Sequence, residues 1–417
     1  MTAVDSPSVA TVITVRNPAD GSVSGSAPID DAATVAAKAA KLRAAQPEWE
    51  ALGPRGRKRW LLEYQGWLLD NADHLTEVLL SETGKSRTDA AIEPVAAADN
   101  VGYWAKNAEE FLADRHPKAH SPLYQVKRFT AVFRPYPLVG VITPWNFPLA
   151  MPGLDVPPAL AAGAAVLLKP SEVTPLSGVE FVRGWAEIGA PPVLDVATGY
   201  GDTGAALVEQ SDFVQFTGST ATGRKVAVAC AQRLIPFGLE LGGKDPAIVL
   251  ADADLDRAAN GIAWGGLFNS GQVCVSVERI YVEAPVYDEF VAKLTERVRS
   301  VHQGVDGDTG AMATTAQRDI VADHVDAVAG TPQDDRGELG VDRIVVGQQQ
   351  VERALGDADA ADFLDLGAGD GLVVGDDRQG LDRGPRQLAR HRLLDLQPLG
   401  KIGGRAKSIA ARHLDQV

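Results

Sequence analysis

Five short segments carry residue types from which a covalent reaction could be built. Cys274 closes the run Asn269-Ser270-Gly271-Gln272-Val273-Cys274, whose polar and glycine residues permit a loop and close approach of a substrate. A thiol attacks only as its thiolate, which backbone N–H donors or a nearby positive charge would favour. A cysteine taken alone is more often buried and inert, and Cys230, within the apolar helical segment 226–231, fits that description. Glu240 lies in Phe237-Gly238-Leu239-Glu240-Leu241, an acid inside a strand-like apolar run. Partial desolvation there would raise its pKa toward the range of a working base; an exposed strand glutamate or an ion pair is the alternative. Asn146, in Pro144-Trp145-Asn146-Phe147-Pro148, offers an uncharged amide donor to an oxyanion, or serves as a turn residue. Gly218 and Gly223 bound the run Gly218-Ser219-Thr220-Ala221-Thr222-Gly223 and allow close backbone approach at a helix start, where free N–H groups favour phosphate. Lys169-Pro170-Ser171-Glu172 directly follows the apolar run 164–168.

In this order, with Cys274 34 positions after Glu240, the segments resemble the NAD(P)-dependent aldehyde dehydrogenase superfamily, from about Asn17 to Val328. The resemblance implies that Cys274 attacks an aldehyde to give a thiohemiacetal, whose oxyanion is held by the Asn146 amide and the backbone N–H of Cys274. Hydride then leaves for the nicotinamide, and Glu240 activates water to hydrolyse the thioester. Glu240 also favours release of free acid over acylation of coenzyme A. By the same resemblance, Gly218, Ser219 and Gly223 meet the cofactor at a helix start, in a looser version of the usual dinucleotide fold. Lys169, Ser171 and Glu172 form the adenosine-ribose site. Glu172 accepts hydrogen bonds from ribose hydroxyls and repels a 2′-phosphate, so NAD is expected in preference to NADP, although Lys169 suits either. Trp145 fits equally beside the nicotinamide or in the core. No metal-ligating set is assigned.

These residues need a scaffold to hold them. Residues 30–45 are alanine-rich behind Asp30 or Asp31 as a cap, and Pro54 opens a segment with Trp60, Leu61, Tyr64, Trp67 and Leu68 at helical spacing. Residues 71–80 and 90–112 continue the helical pattern. From Leu123 the texture alternates, with Tyr124 and Val126, and then Phe129, Ala131 and Phe133, on alternate positions, which predicts a strand or hairpin. Short apolar runs at 139–143, 164–168, 213–217 and 247–250 alternate with helical stretches at 175–188 and 223–231. That pattern predicts an α/β fold with a mainly parallel sheet, whose ligands sit beyond the carboxyl ends of the strands.

A chain of 417 residues exceeds one hydrophobic core, and 45% hydrophobic with 23% charged residues is globular composition. The expected division is a discontinuous Rossmann-type NAD-binding domain at 1–118 and 139–241 and a bridging, oligomerisation hairpin at 119–138. A partial α/β catalytic domain at 242–328 and an atypical tail at 329–417 complete it. The net charge of −15 is spread without a basic cluster, which argues against nucleic acid. Two cysteines suit a reducing compartment, no secretory signal is evident at the start, and the longest apolar stretch, 159–168, is too short to span a bilayer. A cytoplasmic enzyme acting on a small-molecule aldehyde, without a membrane partner, is the expectation.

The tail departs from this pattern. All seven Trp and seven Tyr lie before residue 288, and Phe363 is the one aromatic residue beyond 290. The superfamily continues with a Glu-x-Phe-Gly-Pro segment whose Glu grips the nicotinamide ribose, and with a strand that contributes to oligomer assembly; neither is recognisable here. The Arg, Gly, Asp and Ala mixture resembles GC-rich codons read out of register, so a shifted reading frame or rearranged gene end, with a disordered or loosely packed tail, is expected. The alternative function is therefore an impaired family remnant that retains at most nucleotide binding.

Overall fold

The structure is a computed structural model that describes residues 11–329 and 341–344. It opens on an antiparallel ribbon, β1 (Val12–Arg16) and β2 (Val23–Pro28), where the sequence reads as a polar start. Only Ile13 and Val15 of β1 are buried, so the apolar alternation is too brief to stand out.

Four helices follow: α1 (Ala32–Ala51), α2 (Gly53–Asp70), α3 (Ala72–Thr83) and α4 (Arg87–Phe111). The Asp31 carboxylate accepts the Thr34 N–H at 2.8 Å and caps α1. That helix runs past the expected end and past Pro47, because Trp49 is fully buried and donates its Nε1–H to the Leu160 carbonyl at 2.9 Å. Leu61, Tyr64 and Leu68 form the predicted apolar face of α2.

Residues 119–138 do not form the expected hairpin ladder. A single bridge joins Arg115 to Ala131, and Pro122–Tyr124 is a 3₁₀ turn. Leu123 and Val126 are more than four-fifths exposed. An isolated two-stranded hairpin is marginal without a covered face, and no described element covers this one.

The Rossmann-type sheet consists of β3 (Leu138–Ile142), β4 (Ala165–Lys169), β5 (Leu194–Val196), β6 (Phe213–Thr217) and β7 (Phe237–Glu240). All four pairings are parallel, in the order β5-β4-β3-β6-β7. The crossovers carry α5 (Ala150–Ala162), α6 (Pro175–Glu187), α7 (Gly201–Gln210) and α8 (Thr220–Arg233). Every residue of β4 is buried, as a strand covered on both faces requires. The core joins α1, α2, α4 and α5 to β3 and β4.

A second sheet contains β8 (Asp245–Val249), β9 (Val277–Glu283) and β10 (Val341–Ile344), with α9 (Leu255–Leu267), α10 (Tyr287–Arg299) and α11 (Thr315–Ala329) completing the elements. β8 is parallel and β10 antiparallel to the central β9. Phe290 and Leu294 of α10 bury against α9 and β9. Ile248 on the edge strand β8 remains 69% exposed. Apart from β10, the expectations for residues 329–417 lie outside the described residues.

Candidate active site

Because the first sheet is parallel, the carboxyl ends of its strands share one edge, and strand order reverses around β3, where such sheets receive ligands. The motif residues gather on this edge. Trp145 and Asn146 follow β3, Lys169 ends β4 with Ser171 and Glu172 just beyond, Gly218 and Ser219 join β6 to α8, and Glu240 ends β7.

Strand alternation separates the two faces of this edge. Phe216, Leu239 and Leu241 pack with Val226 and Cys230 of α8. Thr217, registered directly beside Glu240, therefore faces the opposite side with it, toward α5. There the Thr217 hydroxyl donates to Asp155 Oδ2 at 2.9 Å. The expected partial desolvation of Glu240 does not hold: the residue is exposed, because β7 is the edge strand and no described element covers it.

Cys274 stands exposed between α9 and β9. The loop before it is strained, since Asn269, Ser270 and Gly271 follow one another in the left-handed region with φ of 53°, 57° and 71°. Non-glycine residues held there cost about 1–3 kcal/mol each and persist only where neighbours over-determine them. Ser270 Oγ contacts Thr309 Oγ1 at 2.8 Å and donates to the Gly310 carbonyl at 2.9 Å. Gln272 Oε1 accepts the Ala313 N–H at 2.9 Å, and its amide donates to the Asn269 carbonyl at 3.2 Å. Asn146 crosses from the other domain: its Nδ2 donates to the Gln272 carbonyl at 2.8 Å. That bond occupies one of its two amide hydrogens and directs the group at the loop that carries Cys274.

Sequence reasoning missed the support beneath Asn146. Lys85 and Glu93 are buried and paired at 2.5 Å. Lys85 Nζ also donates to the Asn146 carbonyl at 2.8 Å, which accepts Asn269 Nδ2 at 2.9 Å as well. Glu93 Oε2 accepts the N–H groups of Leu149 and Ala150, each at 3.0 Å, and so caps α5. Asp89, one turn before Glu93, accepts the backbone N–H of Asn269. The available signal was a pair of acids four apart on the buried stripe that continues to Ala97 and Val101.

Several residues fit a dinucleotide. A Cβ on Gly218 would stand 2.8 Å from the Phe216 ring and one on Gly223 2.8 Å from Leu241, so side chains are excluded where the backbone approaches the edge. Ser219 caps α8 by accepting the Thr222 N–H at 3.3 Å, at an exposed helix start that favours an anion. Lys169 is buried, with Nζ 3.0 Å from the Pro170 carbonyl and 3.6 Å from Glu172 Oε2; burial lowers its pKa below the usual lysine range. Ser171 Oγ accepts the Val173 N–H at 3.2 Å and shapes the turn. Trp145 is half-buried, with its carbonyl accepting from Thr174 Oγ1 at 3.3 Å. Among the described residues no cluster of His, Cys, Asp and Glu is suited to a metal, and no helix is long and apolar enough to cross a membrane.

Comparison with known proteins accounts for this arrangement. The sequence profile of the aldehyde dehydrogenase family matches residues 4–331. The chain belongs to the aldehyde dehydrogenase family. The match ends close to Val328, where the resemblance was expected to stop. A Mycolicibacterium smegmatis protein named "Putative succinate-semialdehyde dehydrogenase", NADP(+), is 40% identical over 305 residues, covering 72% of this chain and 59% of that protein. A 4,4′-diapolycopene aldehyde oxidase of Methylomonas sp. is 39% identical, covering 76% of this chain and 61% of its own. The chain thus spans about 60% of the length of these curated relatives. Lactaldehyde dehydrogenase from Escherichia coli superposes with a TM-score of 0.74 at 31% identity, over 77% of this chain and 69% of that one. An NAD-dependent benzaldehyde dehydrogenase from Corynebacterium glutamicum gives 0.71 at 32%, over 76% and 70%. Relatives thus carry both cofactor names, and the preference for NAD read from Glu172 is not a family property.

Three buried carboxyls make stability depend on pH. Desolvation raises Asp89 and Asp155 to about 6 and Glu82, which caps α6 through the Leu176 and Ser177 N–H groups, to about 7. Each folded pKa lies above its unfolded value, so the contribution is complete below about pH 4 and is lost as pH rises through 6 to 7. Urea unfolding should show stability falling between about pH 4 and pH 7, at up to ~1.4 kcal/mol per pH unit per proton. Asp89→Asn should flatten that slope; stability that rises over this interval would contradict these assignments.

Proposed function

We propose that the chain oxidises an aldehyde to a carboxylic acid with NAD(P), through a thioester on Cys274. The observation that carries this reading is the bond from Asn146 Nδ2 to the Gln272 carbonyl at 2.8 Å, which joins an amide donor to the nucleophile loop. The Cys274 thiolate attacks the carbonyl carbon, forming a C–S bond and an oxyanion. The remaining Asn146 amide hydrogen and the Cys274 N–H hold that oxyanion, and one such donor contributes ~3–4 kcal/mol to the transition state. A bound nicotinamide would supply the hydride acceptor for collapse of that oxyanion, which leaves the acyl group on Cys274 as a thioester. Glu240 then takes a proton from water, the water oxygen attacks the acyl carbon, and the C–S bond breaks to release acid and thiolate. Its exposure on the α5 side of β7 leaves it accessible to water.

The cofactor would be held by Gly218, Ser219 and Gly223 at the start of α8, by Lys169, Ser171 and Glu172 beyond β4, and by Trp145. On this reading residues 1–118 and 139–241 are the cofactor domain, and 242–328 carry the nucleophile. Leu123 and Val126, exposed on the segment 119–138, fit contact with a second copy. We assign the protein to the cytoplasm, because an exposed free Cys274 needs a reducing compartment. The exposed edge at Ile248 favours one other reading, nucleotide binding without turnover.

A rapid-mixing experiment separates these readings. The wild-type chain should give a burst of NADH followed by a slower steady state. Cys274→Ala should abolish both, and Glu240→Gln should retain the burst while slowing the steady state. Turnover by Cys274→Ala would exclude the nucleophile, and a wild-type chain that binds cofactor without a burst would establish the second reading.

For the cofactor we infer a preference for NAD. The Glu172 carboxylate suits ribose hydroxyls, and Lys169, 3.6 Å away and tied to Pro170, offsets only part of its charge. Glu172→Gln should narrow the difference between NAD and NADP in calorimetric titration; tighter NADP binding by the wild-type chain would overturn the inference.

A further inference from the structure

Glu240, read as the base, must lose the proton it takes from water before it can act again. The inference below rests on that reading. Asp155 is the one charged residue of α5 and is buried beneath the sheet edge. The Thr217 hydroxyl donates to its Oδ2 at 2.9 Å, and Gln215 donates to the same carboxyl. Thr217 is the residue paired with Glu240 in the parallel ladder, and both face α5. A carboxyl, a hydroxyl and a second carboxyl thus follow one another across the sheet edge.

We propose that Asp155 is the proton-holding partner of Glu240, reached through the Thr217 hydroxyl. After Glu240 has taken the proton of the attacking water, it passes that proton to Thr217 Oγ as Thr217 gives its own hydrogen to Asp155 Oδ2. The O–H bond at Glu240 breaks and one forms at Asp155. The hydroxyl is restored, the Glu240 carboxylate is regenerated, and no electrons change hands. Before the next turnover the proton returns through the Thr217 hydroxyl to Glu240, which is exposed, and passes to solvent water, leaving both carboxylates ionised.

The charges around α5 leave this role to one pair. β3 has no titratable residue, and Lys169 at the end of β4 binds the Pro170 carbonyl and Glu172. Arg57 of α2 binds the carbonyls of Ala161 and Ala162 at the far end of α5, while Glu93 of α4 caps its first turn with Lys85 as partner. Glu240 is the charged group that acts on Asp155. Burial, with a smaller contribution from Glu240, raises Asp155 to about 6, where it can both accept and release a proton near neutral pH.

The test measures burst and steady-state rates of the full chain, with NAD and a reactive aromatic aldehyde, across pH. Asp155→Asn should slow the steady state about 10-fold or more, within the usual range for losing a proton-transfer partner. It should leave the burst unchanged and remove the loss of steady-state rate below about pH 6 that is expected of the wild type. Asp155→Glu should restore part of the rate. Thr217→Val, which keeps the carboxyl and cuts the link, should reproduce the slow steady state and serves where Asp155→Asn does not fold. A wild-type burst with an unchanged steady state in both variants would overturn the proposal alone. So would equal losses of burst and steady state, the mark of a structural role. A wild-type chain without a burst would overturn the reading of Cys274 and this proposal with it.

Discussion

The buried pair of Lys85 and Glu93 is the contact on which the site depends. Lys85 holds the carbonyl of Asn146, and Glu93 holds the first N–H groups of α5. One ion pair thereby fixes both the residue that reaches the nucleophile loop and the helix that carries Asp155. Such a pair adds little net stability over an apolar substitute, because desolvation offsets its attraction. Losing one partner is different: it strands a charge and costs about 3–5 kcal/mol. Its contribution is geometric, since a charged group with several fixed partners tolerates few alternative arrangements.

From that anchor the chemistry divides between two regions. In the proposed mechanism Asn146 and the strained turn Asn269-Ser270-Gly271 set the acylation half, with Thr309, Gly310 and Ala313 holding the far side of the loop. Glu240, Thr217 and Asp155 lie across the edge of β6 and β7, where the proposed mechanism puts deacylation. The N-terminus of α8 faces the same strand ends on the other side of the sheet, so the cofactor residues need not compete with the base for space.

Much of this was legible in the sequence wherever local pattern and burial coincide. The run 164–168 reads as a strand, and β4 lies one position further on with both faces covered; of the two candidate caps, Asp30 and Asp31, it is Asp31 whose carboxylate satisfies a helix-start N–H. The order and spacing of the motifs around Cys274, Asn146 and Glu240 matched the family that the comparison shows. Other features depend on contacts that spacing does not encode. Lys85 meets Asn146 across 61 positions, and an acid on an alanine-rich helix does not announce a lysine partner. α5 was unreadable because Pro157 and Pro158 interrupt an otherwise helical segment. Glu240 was expected to be desolvated from its apolar neighbours, yet those neighbours alternate onto the α8 face and leave it open. The alternation from Leu123 failed as a strand for the related reason that an amphipathic pattern needs a covering surface.

In the proposed mechanism the brace under Asn146 sets oxyanion stabilisation rather than thiol reactivity. Lys85→Met combined with Glu93→Gln removes both charges, so no lone ion is buried, and the Gln amide oxygen can still accept the α5 N–H groups. The direct measurement compares two rates on Cys274 in this variant, the NADH burst and alkylation by iodoacetamide, with thermal melting to establish folding. The expected result is a burst slowed about 10-fold or more, as for loss of a positioned donor, with alkylation within about 2-fold of wild type. A folded variant whose burst is unchanged, or whose alkylation falls as far as its burst, would contradict it.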